Sequence, residues 1–253
     1  MIMKKGLVLS GGGHRGVAHA GALQAMKEFE LFPDEVSGSS AGAIVGAMYC
    51  AGYEPEDILS MFKEIKLFTF STFARSKAGF VNSDVFRNYL IKYFPDNSFE
   101  KLERKLFVTA TSLITGQKKV FSDGDLISSV LASAAVPGVF TPVEIDNDLY
   151  TDGGIIDNFP CKPLENRVDE MYGVYVCPLK EMNKNDFKRT IDVINRAVNL
   201  KMHDRSLKKF KYCKWVIAPQ ELESYHLFQA SQADAIFEIG YREALKVLKL
   251  QYS

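Results

Sequence analysis

Gly38-Ser39-Ser40-Ala41-Gly42 has the G-x-S-x-G spacing of a sharp turn from a strand into a helix, with Ser40 on its corner. Glu35-Val36-Ser37 supplies a strand before it, and Ala43 to Cys50, apolar on every side, supplies a buried helix after it. A serine so placed is a candidate nucleophile. The helix start directs its unpaired N–H groups, that of Ala41 first, and its positive dipole end toward charge developing at the serine. The same glycines also suit an ordinary tight turn, so the chemistry depends on what stands beside them.

Two other glycine-marked sites are candidates. Gly11-Gly12-Gly13-His14-Arg15-Gly16 follows the apolar run Gly6 to Leu9 and opens a helix, so its backbone N–H groups are suited to cradle negative charge. Read as G-x-G-x-x-G it is a dinucleotide fingerprint, which needs an acidic residue at the end of the second strand, about 20 residues on. Asp34 and Glu35 have the spacing but precede that strand. Read beside Ser40, the loop supplies oxyanion donors for acyl transfer. Asp152-Gly153-Gly154 offers a carboxylate and two glycines that let backbone crowd a neighbour, although D-G-G is also a common turn. An aspartate can take the serine proton directly if burial lifts its pKa from near 3.9. The order Ser40, Asp152, then His203 or His226 mimics a hydrolase triad. Neither histidine has a glycine turn or strand end to fix it near a serine, and both read as solvated.

Together and in this order, the three motifs resemble the patatin-like phospholipase family. The resemblance extends through Arg15 to Leu23 and through Ala132-Ser133-Ala134-Ala135-Val136-Pro137 with Phe140 and Pro142, covering roughly residues 7–160. It implies a three-layer α/β/α fold with a mainly parallel central sheet, and a Ser40–Asp152 dyad without a catalytic histidine. The implied activity is cleavage of lipid acyl esters through an acyl-enzyme, without metal or cofactor. Gly11, Gly12, Gly13 and Ala41 are the implied oxyanion donors. Gly16, Gly38, Gly42, Gly153 and Gly154 support the motifs, and Arg15 either supports the loop or meets an anionic head group. Two other readings stay open: a dinucleotide-binding α/β protein using Gly11 to Gly16, and a noncatalytic lipid- or partner-binding module.

The elements that must position these residues follow from pattern. Two successive strand–glycine turn–helix units imply parallel strands. Further strands are expected at Phe107 to Thr111, Lys119 to Phe121, Val143 to Ile145, Leu149-Tyr150, Tyr172 to Val176 and Trp215 to Ile217, with hairpin turns at Thr115-Gly116 and Asp146-Asn147. Helices are expected at Pro55 to Ile65, Ser83 to Phe94, Thr190 to Lys209 and, amphipathically, from Ala233 to Leu248.

The 253 residues suit one catalytic domain over 1–253, in which 161–253 completes the fold. Lysine plus arginine and aspartate plus glutamate both number 31, so no net field draws nucleic acid. Cys50, Cys161, Cys177 and Cys213 form no CxxC pair and read as reduced thiols, which points to the cytoplasm. Lys4-Lys5 precedes too short an apolar run for a signal peptide, and no apolar stretch spans ~30 Å of hydrocarbon, so any membrane contact is peripheral. Phe68, Phe70, Phe73 and Phe80 lie among basic residues between Lys66 and Val81, which suits either a lid at an interface or a packed cap. Lys201, Arg205, Lys208, Lys209, Lys211 and Lys214 form a basic stretch opposed nearby only by Asp204. Oligomeric state, head group and acyl-chain preference have no signal in the sequence.

Overall fold

The computed structural model describes residues 3–64, 83–225 and 232–252. One mixed sheet organises the chain, in the order β5 (Val143–Ile145), β6 (Asp148–Asp152), β3 (Lys105–Ser112), β2 (Glu35–Ser39), β1 (Lys5–Leu9), β7 (Glu170–Val174) and β8 (Trp215–Ile217), with β4 (Lys118–Phe121) also paired to β3. Its parallel part comprises β1 (Lys5–Leu9), β2 (Glu35–Ser39), β3 (Lys105–Ser112), β7 (Glu170–Val174) and β8 (Trp215–Ile217). Beyond β3 the sheet turns antiparallel through β4 (Lys118–Phe121), β6 (Asp148–Asp152) and β5 (Val143–Ile145). The hairpin turns fall as expected. Asp146 and Asn147 both take positive φ, 50° and 62°, which these short polar side chains tolerate better than most.

Alternation along the strands divides the core between two faces. Leu7 and Leu9 of β1 face one side with Val36, Val108 and Val174. Against them pack α1 (Val17–Glu28), α2 (Ala41–Cys50), α3 (Pro55–Glu64), α5 (Leu126–Ser133) and α8 (Ala233–Tyr252). Val8, Phe107 and Met171 face the other side and meet Phe159, Cys161 and Leu164. The short α6 (Gly154–Asp157) and α7 (Thr190–Leu207) belong to that layer, tied to the sheet by the Tyr175 hydroxyl bound to His203 Nδ1 at 2.8 Å. Helices thus cover both faces, the three-layer α/β/α arrangement. α4 (Ser83–Leu90) packs on α5.

Two expectations change in detail. The helical pattern from Ser83 ends at Leu90 rather than Phe94. Residues 126–133 form a helix that the sequence pattern did not announce. α5 is buried throughout, so it lacks the polar stripe by which a surface helix declares its period. Its N-cap is Asp125, whose side chain accepts the Ser128 N–H at 2.8 Å. No helix among the described residues is long and apolar enough to cross a membrane.

Candidate active site

β2 delivers Ser40. The strand ends at Ser39, α2 begins at Ala41, and Ser40 between them holds φ 53° and ψ −123°. A non-glycine residue there costs of order 1–3 kcal/mol, and such strain persists only where the surroundings enforce it. The surroundings are tight: a Cβ on Gly38 would meet Gly42 O at 2.3 Å, so the two glycines of the motif let the strand end and the helix start touch.

β6 delivers Asp152 from the far side of β3. Thr109 of β3 pairs with Ser39, and the next residue, Ala110, pairs with Asp152, so neighbouring residues of one strand carry the two motifs on its opposite edges. The Asp152 carboxyl is buried; Oδ1 accepts the Gly154 N–H at 2.7 Å, and Oδ2 has no hydrogen-bond partner among the described residues. Burial pushes its pKa up to about 6, against the opposing pull of the Ser40 hydroxyl and the Gly154 N–H. The Ser40 hydroxyl is thus near enough to favour the carboxylate, yet no hydrogen bond of ordinary geometry joins them. Gly153 is required at this crossing: a Cβ would lie 2.0 Å from Thr109 O.

The Gly11 to Gly16 loop completes the arrangement. A Cβ on Gly11 would meet Ser40 Cβ at 3.1 Å, so the loop backbone passes directly over the serine. Gly13 takes φ 54° and opens a 3₁₀ turn, Gly13–Gly16, whose first N–H groups have no partner within the turn. One expected donor is corrected. The Gly11 N–H is held by Asn158 O at 3.1 Å, which leaves Gly12, Gly13 and Ala41 as the candidate donors around Ser40.

Arg15 supports the loop. Its guanidinium donates to Tyr225 O at 2.8 Å, Pro178 O at 3.3 Å and Glu223 O at 3.5 Å, so it ties the loop to two later segments. Asp34 and Glu35 sit at the opposite end of β2 from Ser40. Asp34 accepts the Lys5 N–H at 2.7 Å, and Glu35 binds Lys4 at 2.5 Å and Arg167 at 2.7 Å. The acidic group of a dinucleotide site is therefore missing from where the ribose would lie.

The model of the patatin-like phospholipase family matches residues 7–165, which contain the glycine loop, the elbow and Asp152. This chain belongs to the patatin-like phospholipase family. A lysophospholipase NTE1 of Candida glabrata is 30% identical over 171 residues, which cover 64% of this chain and 10% of that protein. An uncharacterised NTE family protein of Mycobacterium bovis is 34% identical over 164 residues, covering 62% of this chain and 44% of that protein. This patatin-like chain thus spans less than half the length of either curated relative. In fold it is similar to VipD from Legionella pneumophila, with TM-score 0.65, 17% identity, and coverage of 98% of this chain and 67% of that one. Human GIVD cytosolic phospholipase A2 gives TM-score 0.50 and 10% identity, with coverage of 99% and 58%.

Sequence reasoning named Ser133 and Ala135 only as part of the resemblance, and in this patatin-like fold they hold the site in register. Ser133 Oγ accepts the Ser40 N–H at 2.9 Å and donates to Thr109 O at 2.6 Å. Ser133 O accepts the Gly153 N–H at 3.1 Å, and Ala135 O accepts the Asp152 N–H at 3.0 Å. Ser133 at the end of the buried α5 and Ala135 just beyond it therefore bind both motifs. Asp157 is likewise buried and is held by Lys118 at 2.7 Å and by Lys209, which anchors the segment following Asp152.

The histidines are placed as follows. His14 is buried against Phe62 with both ring nitrogens unpartnered among the described residues, and burial lowers its pKa. His19 is buried, donates to Ser10 O at 2.8 Å, and is pushed down to about 4. His203 is half-buried and engaged by Tyr175 rather than solvated. His226 and the aromatic stretch 66–81 lie outside the described residues. In the basic stretch, Lys208, Lys209 and Lys214 are engaged by Asp204, Asp157 and Glu170.

Proposed function

We propose that this chain is a serine lipid acyl hydrolase of phospholipase A or lysophospholipase type, working as one catalytic domain with Ser40 as nucleophile and Asp152 as its base. The observation that carries the reading is the pairing of a strained serine at a helix start with a buried carboxylate of raised pKa whose Oδ2 has no hydrogen-bond partner among the described residues. Ser40 Oγ attacks the ester carbonyl as its proton passes to Asp152 Oδ2. The oxyanion collects hydrogen bonds from the N–H groups of Gly12, Gly13 and Ala41. On collapse, the ester C–O bond breaks and Asp152 returns the proton to the leaving alcohol, so Ser40 carries the acyl group. Water then gives a proton to Asp152 and adds to the acyl carbon, and Ser40 leaves with that proton as free fatty acid is released.

The free thiols of Cys50, Cys161, Cys177 and Cys213 support action in a reducing compartment, the cytoplasm, with membranes met peripherally. A fluorophosphonate probe with a fluorescent tag tests the proposal. Wild type should label stoichiometrically and Ser40→Ala not at all, while Ser39→Ala should label normally. Failure of the wild type to label, together with no turnover of nitrophenyl butyrate, would return the noncatalytic lipid-binding reading.

A further inference from the structure

The Gly11 to Gly16 loop leaves the sheet at Ser10, and every polar atom of that residue is engaged. Its N–H donates to Val174 O at 3.1 Å, its Oγ donates to Gly11 O and accepts the Val176 N–H, both at 2.9 Å, and its carbonyl accepts from His19 Nε2 at 2.8 Å. Ser10 and His19 are both fully buried. We infer that Ser10, braced by His19, is a positioning residue that aims the Gly12 N–H at the oxyanion. The inference rests on the hydrolase reading above and adds two buried side chains to its machinery.

The connection runs through one peptide group. The Gly11 carbonyl and the Gly12 N–H belong to the same planar trans unit, so they point in opposite directions and neither turns without the other. Two donors hold Gly11 O, Ser10 Oγ at 2.9 Å and Cys177 Sγ at 3.0 Å, which fixes that plane and with it the direction of the Gly12 N–H. Glycines on both sides of a peptide leave it freer to rotate than any other pair of residues. The restraint therefore has to come from neighbouring side chains.

His19 closes the loop at its base. Ser10 directly precedes the loop and His19 lies in the first turn of α1 directly after it, so their bond joins the two ends of the excursion. Burial pushes the pKa of His19 down to about 4, so the ring is neutral near pH 7 and its one proton sits on Nε2, facing the carbonyl. α1 is itself pinned to α8. A Cβ on Gly240 would lie 2.1 Å from Ala18 O and one on Gly21 would lie 2.0 Å from Phe237 O, so the two helices meet backbone to backbone at residues flanking His19. The Ser10 carbonyl also abuts the elbow, because a Cβ on Gly42 would meet it at 2.6 Å. Loop and elbow are thus set against one carbonyl, the kind of support that a site built from glycine N–H donors requires.

Hydrolysis of nitrophenyl butyrate, with active sites counted by fluorophosphonate labelling carried to completion, separates aim from stability. Ser10→Ala should lower kcat per labelled site about tenfold or more and leave KM within about twofold. The rise of kcat/KM should stay centred near pH 6, because the carboxyl of Asp152 keeps its surroundings. His19→Phe, which keeps a ring without the donor, should fall similarly, and His19→Gln, whose amide donates, should recover part of the loss. Where Ser10→Ala does not fold, the half-buried Cys177 reads the same carbonyl: Cys177→Ala should lower kcat several-fold and Cys177→Ser should restore it. Fewer labelled sites with kcat per site unchanged would make these side chains structural only and overturn the inference, as would a change confined to KM. Wild-type activity with unaffected variants sinks the inference alone. A wild type that neither labels nor hydrolyses the ester sinks the hydrolase reading, and the inference with it.

Discussion

Ser133 Oγ accepts the backbone N–H of Ser40 at 2.9 Å, across 93 residues of sequence, and the same oxygen donates to Thr109 O at 2.6 Å. One hydroxyl therefore fixes the strained corner on which Ser40, the proposed nucleophile, stands. Ser133→Ala strands a buried N–H, and equilibrium unfolding should show a loss of about 1–3 kcal/mol. The kcat of nitrophenyl butyrate hydrolysis should fall about tenfold. A variant as stable and active as wild type would show that the elbow holds itself.

The proposed role of Asp152 links activity to pH. As the proposed base it acts in its ionised form, so kcat/KM should rise through about pH 6 and level off above it. In Asp152→Asn, kcat should fall by ~10³ or more, and combining it with Ser40→Ala should add almost nothing, because the two disable one unit. His203→Ala should retain most activity; a loss above about 10²-fold there would favour a histidine base.

The same carboxyl makes a stability prediction of opposite sign. Its folded pKa is raised, so its contribution is present below the ordinary aspartate range and is lost as pH rises through about 6. Asp152→Asn should therefore stabilise the protein at pH 8, by up to about 3 kcal/mol for a two-unit shift, and give little change at pH 4. Unfolding curves of both proteins at the two pH values check this. Stabilisation equal at both would disconnect it from ionisation.

Gly13 holds φ 54°, which a β-branched residue adopts only under strain. Gly13→Val should lower kcat by ~10²–10³ by displacing oxyanion donors, while KM for nitrophenyl butyrate changes little. A change confined to KM would remove the loop from the transition state.

At the other end of β2, burial raises the Glu35 pKa, but hydrogen bonds from Arg167 and Lys4 outweigh it and hold the carboxyl below its usual range. The resulting stability is present above that range and lost on acidification. Glu35→Gln should destabilise by ~1–3 kcal/mol at pH 7, converge with wild type near pH 3, and leave kcat unchanged. Loss of kcat without loss of stability would contradict the structural role.

What the sequence determined by itself was local. Glycine spacing marks places where backbone must turn or touch, and apolar period marks strands and helices, so Ser40, the loop and Asp152 were legible along with the strand–turn–helix units that carry Ser40 and the loop. α5 was not, because a helix buried on every side has no polar stripe to betray its period. Tertiary structure alone decided which groups meet. Asp152 reaches Ser40 because β6 runs antiparallel beside β3 while β2 runs parallel on its other edge, a pairing that no local pattern encodes. Packing also engaged the Gly11 N–H, tied Arg15 to three carbonyls, and placed Asn158, whose type and neighbours in sequence are unremarkable, beside both glycine motifs. Hydrogen-bonding capacity is written in residue type, but its use is set by whichever partners burial brings within about 3 Å.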